Sequence, residues 1–159
     1  MPANLTLLQR LQAREEDGQL APLPGCIPDN LAPRLTLRPY QERALRYFIT
    51  YFEDPRLRGR TSRLLFQMAT GSGKTAVMAG LILYLYRQGY RNFLFFVSLT
   101  NIVEQTRQVF LEPGSPKALF RSPIAMDGRE VRLREGRTFQ GTDPEAINLV
   151  FLTTQGLHN

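Results

Sequence analysis

The sequence predicts an α/β domain built on a doubly wound parallel sheet, and three observations carry that expectation. Three short runs, residues 64–68 (LLFQM), 93–97 (FLFFV) and 147–152 (INLVFL), are apolar without alternation. Strands buried on both faces read this way, as a parallel sheet requires. Between the first two lies KTAVMAGLILYLYRQG, an apolar helix closed at Gly89, so strand, glycine loop, helix and strand follow in the order of a βαβ unit. After the second run, NIVEQTRQVFL repeats apolar residues at Ile102, Val103, Val109 and Phe110, which adds a second covering helix.

The remaining elements follow in chain order. Residues 5–16 place Leu5, Leu7, Leu8 and Leu11 on a helical stripe, and the next stretch, GQLAPLPGCIPDNLAPRL, carries four prolines that stop it. A short helix and a proline-rich connector are therefore expected over residues 1–36, and the first part of the main domain over residues 37–159. From Pro39 onward, Tyr40, Ala44, Leu45, Tyr47, Phe48, Tyr51 and Phe52 recur at helical spacing, with proline in the first turn, where a helix tolerates it. Residues 54–63, DPRLRGRTSR, make a polar loop with arginine at 56, 58, 60 and 63. A solvated connection is the simpler expectation for it, and a DNA-facing loop the sharper one. Asp127-Gly128 is a two-residue hairpin turn, and Val131 and Leu133 alternate with Arg132 and Arg134, so a β-hairpin is expected on the rim before the third strand.

Composition bounds the function class. With 159 residues and 43% apolar content the chain suffices for one domain with its own core. Its net charge of +6 comes from eighteen arginines and two lysines against fourteen acids, a balance that suits a polyanionic partner. The single cysteine, Cys26, cannot make an internal disulfide, which points to a reducing compartment. The longest apolar run, residues 76–86, is well short of the roughly twenty residues a membrane helix needs. The N-terminus has no basic start and apolar block, so a cytoplasmic location is expected. His158, the only histidine, has no metal-binding company in the sequence.

The chemistry concentrates in residues 68–75, MATGSGKT. Gly71, Gly73, Lys74 and Thr75 reproduce the end of a P-loop between an expected strand and an expected helix. Glycines let the backbone take angles and approaches that a Cβ would block, so successive N–H groups can face phosphate oxygens. The helix N-terminus adds unpaired donors and the positive end of its dipole. Lys74 can reach terminal phosphates and the Thr75 hydroxyl can sit on Mg²⁺. Met68 stands where the usual motif begins with glycine.

MATGSGKT, with LRPYQERAL upstream, resembles the first motif and the preceding R-x-Y-Q element of superfamily-two DEAD/DEAH-type helicases and translocases. That resemblance implies a RecA-like domain, ATP with Mg²⁺ as the ligand, Gln41 reading the adenine edge with help from Arg38, and Ala69, Thr70, Gly71, Ser72, Gly73, Lys74 and Thr75 around the phosphates, the last two in the catalytic role. FLFFVSLTNIVEQT and INLVFLTTQGLHN fall where the family's motifs Ia and Ib lie. With DNLAPRLTLRPYQ and DGREVRLREGRTFQ, their order is most similar to the helicase part of the type III restriction enzyme Res subunit, over residues 29–159. The resemblance implies double-stranded DNA held through its backbone, with Ser98, Thr100, Asn101, Thr153, Thr154 and Gln155 as contacts, and a modification methyltransferase as partner subunit.

No acid ends any of the three apolar runs. The acid pair of motif II and the arginines of a second RecA-like domain are therefore expected beyond residue 159, which makes this the first part of a larger motor. Two alternatives stay open: another superfamily-two motor, such as a type I restriction, repair or RNA helicase, and a nucleotide- or DNA-binding module without catalysis.

Overall fold

The computed structural model describes residues 5–97, 100–112 and 114–153, with Thr100 and Asn101 described in the backbone only. It divides into two compact units, one of Met1–Pro24 with Leu37–Val77 and one of Gly25–Thr36 with Met78–Asn159.

The first unit is helical. Thr6 opens helix α1 (Leu7–Glu16) with a reciprocal capping box: its hydroxyl accepts from the Gln9 N–H at 3.3 Å and its own N–H donates to Gln9 Oε1 at 2.9 Å. Helix α2 (Pro39–Glu53) begins with proline at a position whose N–H would find no helical partner anyway. The Arg38 N–H, just outside, donates to Gln41 Oε1 at 2.9 Å. The buried face of α2 is Gln41, Leu45 and Ile49, spaced by four, with Thr50 and Tyr51 beside them. The proline-rich segment after α1 is tied to α2 by polar bonds. Thr50 Oγ1 accepts from the Ala21 N–H at 2.9 Å, and Arg46 Nε donates to the Ala21 carbonyl at 3.0 Å. Arg14 pairs with Asp54, and the Tyr47 hydroxyl donates to the Glu15 carboxylate. Burial and that carboxylate push the Tyr47 hydroxyl up to about 12.

The second unit holds the sheet. Strands β1 (Asn92–Val97), β4 (Leu133–Glu135) and β5 (Ile147–Thr153) pair in the order β1-β5-β4, both pairs parallel, with Phe95 opposite Phe151 and Leu133 opposite Ile147. The central strand β5 is buried continuously from Ile147 to Val150, which explains its unbroken apolar sequence. Most of helix α3 (Lys74–Arg87) lies in this unit, burying Ala79, Ile82, Leu83 and Tyr84. Helix α4 (Thr100–Leu111) brings Phe110 to 5.0 Å from the Phe95 ring, and Phe120 lies 5.7 Å from Phe110. Two buried asparagines splice loops onto this core. Asn30 Nδ2 donates to the Cys26 and Ala125 carbonyls at 3.0 and 2.9 Å, and its Oδ1 accepts from the Ala125 N–H at 2.7 Å. Asn148 Nδ2 donates to the Asp143 carbonyl at 2.8 Å. The expected hairpin is present as β2 (Ile124–Met126) and β3 (Arg129–Val131), turning through Asp127 and Gly128 with φ of 50° and 77°.

Two expectations need correction. Residues 64–68 form no strand among the described residues: the segment alternates half-buried and exposed positions, and Leu65 is 90% exposed. Apolar composition suits a strand, but only a neighbouring ladder makes one, and this run instead sets Phe66 against Phe48, 6.3 Å away. The described βαβ arrangement therefore lacks its first strand. Residues 131–133 are not one hairpin strand either. The chain leaves β3 after Val131, and Leu133, half-buried, enters the main sheet beside β5 opposite Ile147, so a parallel ladder rather than the hairpin pairs it.

Candidate phosphate site

Residues 68–75 connect the extended run to α3 within a tight loop. Gly71 and Gly73 sit at φ of 75° and 76°, the left-handed region that side chains with a Cβ rarely adopt. Their surroundings differ. Nothing lies within 4 Å of a Cβ added at Gly71, whereas one at Gly73 would collide with Gln41 Nε2. The loop is closed by the Ser72 hydroxyl and N–H, which donate to the Ala69 carbonyl at 2.7 and 3.2 Å. Lys74 begins α3 and curls its ammonium back to the same carbonyl at 2.9 Å and to that of Met68 at 3.2 Å. Thr75 follows, half-buried in the first helical turn.

Helix α2 grips this loop. The Ser72 carbonyl accepts from Gln41 Nε2 at 2.8 Å and from the Tyr40 hydroxyl at 2.9 Å, which occupies both of its lone pairs. Gln41 also donates weakly to the Gly73 carbonyl at 3.4 Å. With Oε1 held by Arg38 N–H and only 4% of the residue exposed, the Gln41 amide is engaged at both ends inside the chain. Arg38 Nη1 reaches the Tyr40 hydroxyl at 3.2 Å. A cleft of about 620 Å³ opens beside the loop, lined by Arg38, Tyr40, Arg43, Ala44, Tyr47 and residues 67–72. Two arginines and no carboxylate line it, so its field favours an anion.

Tyr40 and Arg43 were not among the expected site residues. Tyr40, Ala44 and Tyr47 belong to the helical stripe of the sequence, and with Arg43 they occupy positions i, i+3, i+4 and i+7 on the face that lines the cleft. The arginine inside that stripe was the available signal. Of the expected nucleic-acid contacts, Thr100 and Asn101 lie in the first turn of α4 with side chains outside the described residues. Thr153 ends β5, half-buried, opposite Val97 at the end of β1. Ser98, Thr154 and Gln155 lie outside the described residues, as does His158. Cys26 is half-buried, and burial pushes its thiol up against the partly offsetting Arg87 guanidinium. Among the described residues no three His, Cys, Asp or Glu side chains gather as a metal site, and no helix is long and apolar enough to cross a membrane.

The family model described as type III restriction enzyme, res subunit, matches residues 34–159. The chain belongs to that family. A curated relative, the "Probable type III restriction-modification enzyme HindVIP Res subunit" of Haemophilus influenzae (strain ATCC 51907 / DSM 11121 / KW20 / Rd), is 39% identical over 126 residues, covering 76% of this chain and 24% of that protein. This Res-family chain thus spans about a quarter of the length of the relative it matches. No solved structure matches it. The family assignment agrees with the resemblance carried by MATGSGKT and RPYQ, and its matched span contains both the phosphate loop and the helix that grips it.

Proposed function

We propose that this Res-family chain is the ATP-binding part of a DNA-dependent ATPase and translocase of the type III restriction kind. The observation that carries the reading is the phosphate loop itself: two left-handed glycines, a lysine at the start of α3, and a helix N-terminus, in a chain of this family. In this reading the loop N–H groups and Lys74 take the phosphates of ATP, and Lys74 exchanges the Ala69 and Met68 carbonyls for phosphate oxygens. Ala69, Thr70, Gly71, Ser72 and Gly73 supply the backbone of the cradle. Thr75 would hold Mg²⁺ through its hydroxyl, and the ion would neutralise phosphate charge.

Adenine recognition falls to the cleft beside α2. Gln41 first braces the loop, and it meets an adenine edge only by giving up the Arg38 N–H or the Ser72 carbonyl. Arg38, Tyr40 and Arg43 are exposed on the cleft without such an exchange. Duplex DNA, a methyltransferase partner and a cytoplasmic setting belong to the same reading, with Thr100, Asn101 and Thr153 near the strand ends where open α/β sheets bind ligands. In the same reading residues 1–36 are an N-terminal helix and proline-rich connector, and residues 37–159 the first part of a RecA-like domain. The acid pair and arginines that turnover needs are assigned to the rest of the Res subunit.

The test is ATP hydrolysis by the full Res subunit with its partner, with and without duplex DNA. DNA-stimulated turnover that is abolished by Lys74→Ala is the expected result. Turnover unaffected by that substitution would overturn the assignment.

A further inference from the structure

We propose that the loop of residues 54–63 is a contact surface for the phosphate backbone of duplex DNA, an inference that rests on the DNA-dependent reading above. The stretch DPRLRGRTSR carries four arginines and one acid. That acid is already committed: Asp54 pairs with Arg14 and accepts from the Arg56 N–H at 2.7 Å. Arg56, Arg60 and Arg63 are exposed and have no carboxylate partner among the described residues. Several other arginines do have carboxylate partners. Arg107 faces Glu135 at 2.7 Å, Arg129 faces Glu145 at 3.7 Å and Arg134 faces Asp143 at 3.8 Å. Arg107, Arg129 and Arg134 are thus balanced locally by carboxylates, and among the described residues Arg56, Arg60 and Arg63 are not.

The loop is also anchored rather than loose. The Leu57 and Arg58 N–H groups both donate to the Asp54 carbonyl at 3.0 Å. The Arg58 guanidinium lies 3.9 Å over the Phe52 ring, and the Tyr51 hydroxyl holds Ser62 Oγ at 3.0 Å. Guanidinium groups suit phosphates because their planar fork donates two bonds at once. Gly59, Thr61 and Ser62 add small polar neighbours that let a backbone approach. A surface of this kind fixes position on the duplex and carries no sequence information, which fits a motor that moves along it.

The test measures binding of the full Res subunit to a duplex of about 30 base pairs of arbitrary sequence, between roughly 50 and 200 mM salt. The wild type is compared with Arg56→Gln/Arg60→Gln/Arg63→Gln and with the corresponding triple lysine variant. Each lost phosphate contact lowers the magnitude of the log–log salt slope by about 0.9, so the glutamine variant should lose up to about 2.7 and the lysine variant should keep most of the slope. Nucleotide binding, measured in parallel, should be unchanged, which reports an intact fold. A glutamine variant with wild-type affinity and slope overturns the inference and leaves the DNA reading standing. A wild type with no salt-dependent DNA binding overturns both. Loss of binding to phosphatidylserine vesicles, with DNA binding intact, would make this a membrane surface and overturn the assignment to DNA.

Discussion

At the scale of single residues the loop is defined by glycine backbone angles and by what touches them. Gly71 and Gly73 share the left-handed conformation, so alanine at either costs about 1–2 kcal/mol of local strain. Only Gly73 also faces Gln41. Gly73→Ala should therefore weaken nucleotide binding more than Gly71→Ala, and Gly73→Ala/Gln41→Ala should recover part of the loss. A double-mutant cycle on nucleotide affinity reads this coupling, and strictly additive effects would count against the contact. Tyr47 gives a pH prediction. Its hydroxyl is held up to about 12 in the folded state, against about 10 when unfolded. The folded state thus binds more protons between those values, and stability should fall as pH rises from about 10 toward about 12. Denaturant midpoints across that range should fall less for Tyr47→Phe than for the wild type. The glycines and Lys74 were legible in the sequence because a phosphate loop fixes residue types at fixed spacing. The engagement of Gln41 was not, because its partner Ser72 lies 31 residues away and only packing brings them together.

At the scale of elements, local signals served well where the element makes its own stability. Thr6 and Gln9 cap α1, Pro39 opens α2, and Asp127-Gly128 turns the hairpin, each through bonds within a few residues. They failed where pairing partners decide. The apolar run 64–68 had strand composition without a described ladder, and Leu133 went to the main sheet instead of the hairpin. Asn30 illustrates the missing information: nothing in IPDNL announces that its amide will hold the backbone of Ala125, 95 residues on. Asn30→Ala would leave the Ala125 N–H and the Cys26 and Ala125 carbonyls without this part-buried partner. It should lower unfolding free energy by about 2 kcal/mol, seen in urea denaturation. A change under about 0.5 kcal/mol would show that the splice contributes little.

At the scale of the whole molecule, the parallel sheet was foreshadowed by unbroken apolar stretches such as INLVFL, whose first four residues are buried, whereas the strand order β1-β5-β4 was not. The division into two units was not, because it joins residues far apart in sequence on the strength of contacts no local pattern reports. Of the candidate site, residues 68–75 stood out by their spacing, whereas the cleft face of α2 did not, because Tyr40 and Arg43 share it with other positions of the helical stripe. The central claim is that this Res-family chain holds ATP through residues 68–75. The most direct measurement is calorimetric titration of ATP with Mg²⁺ into the protein and its Lys74→Ala variant, whose lost charged contact is worth about 1.5–3 kcal/mol. The wild type should bind and the variant should bind at least about tenfold more weakly; a variant that binds ATP as tightly as the wild type would contradict the claim.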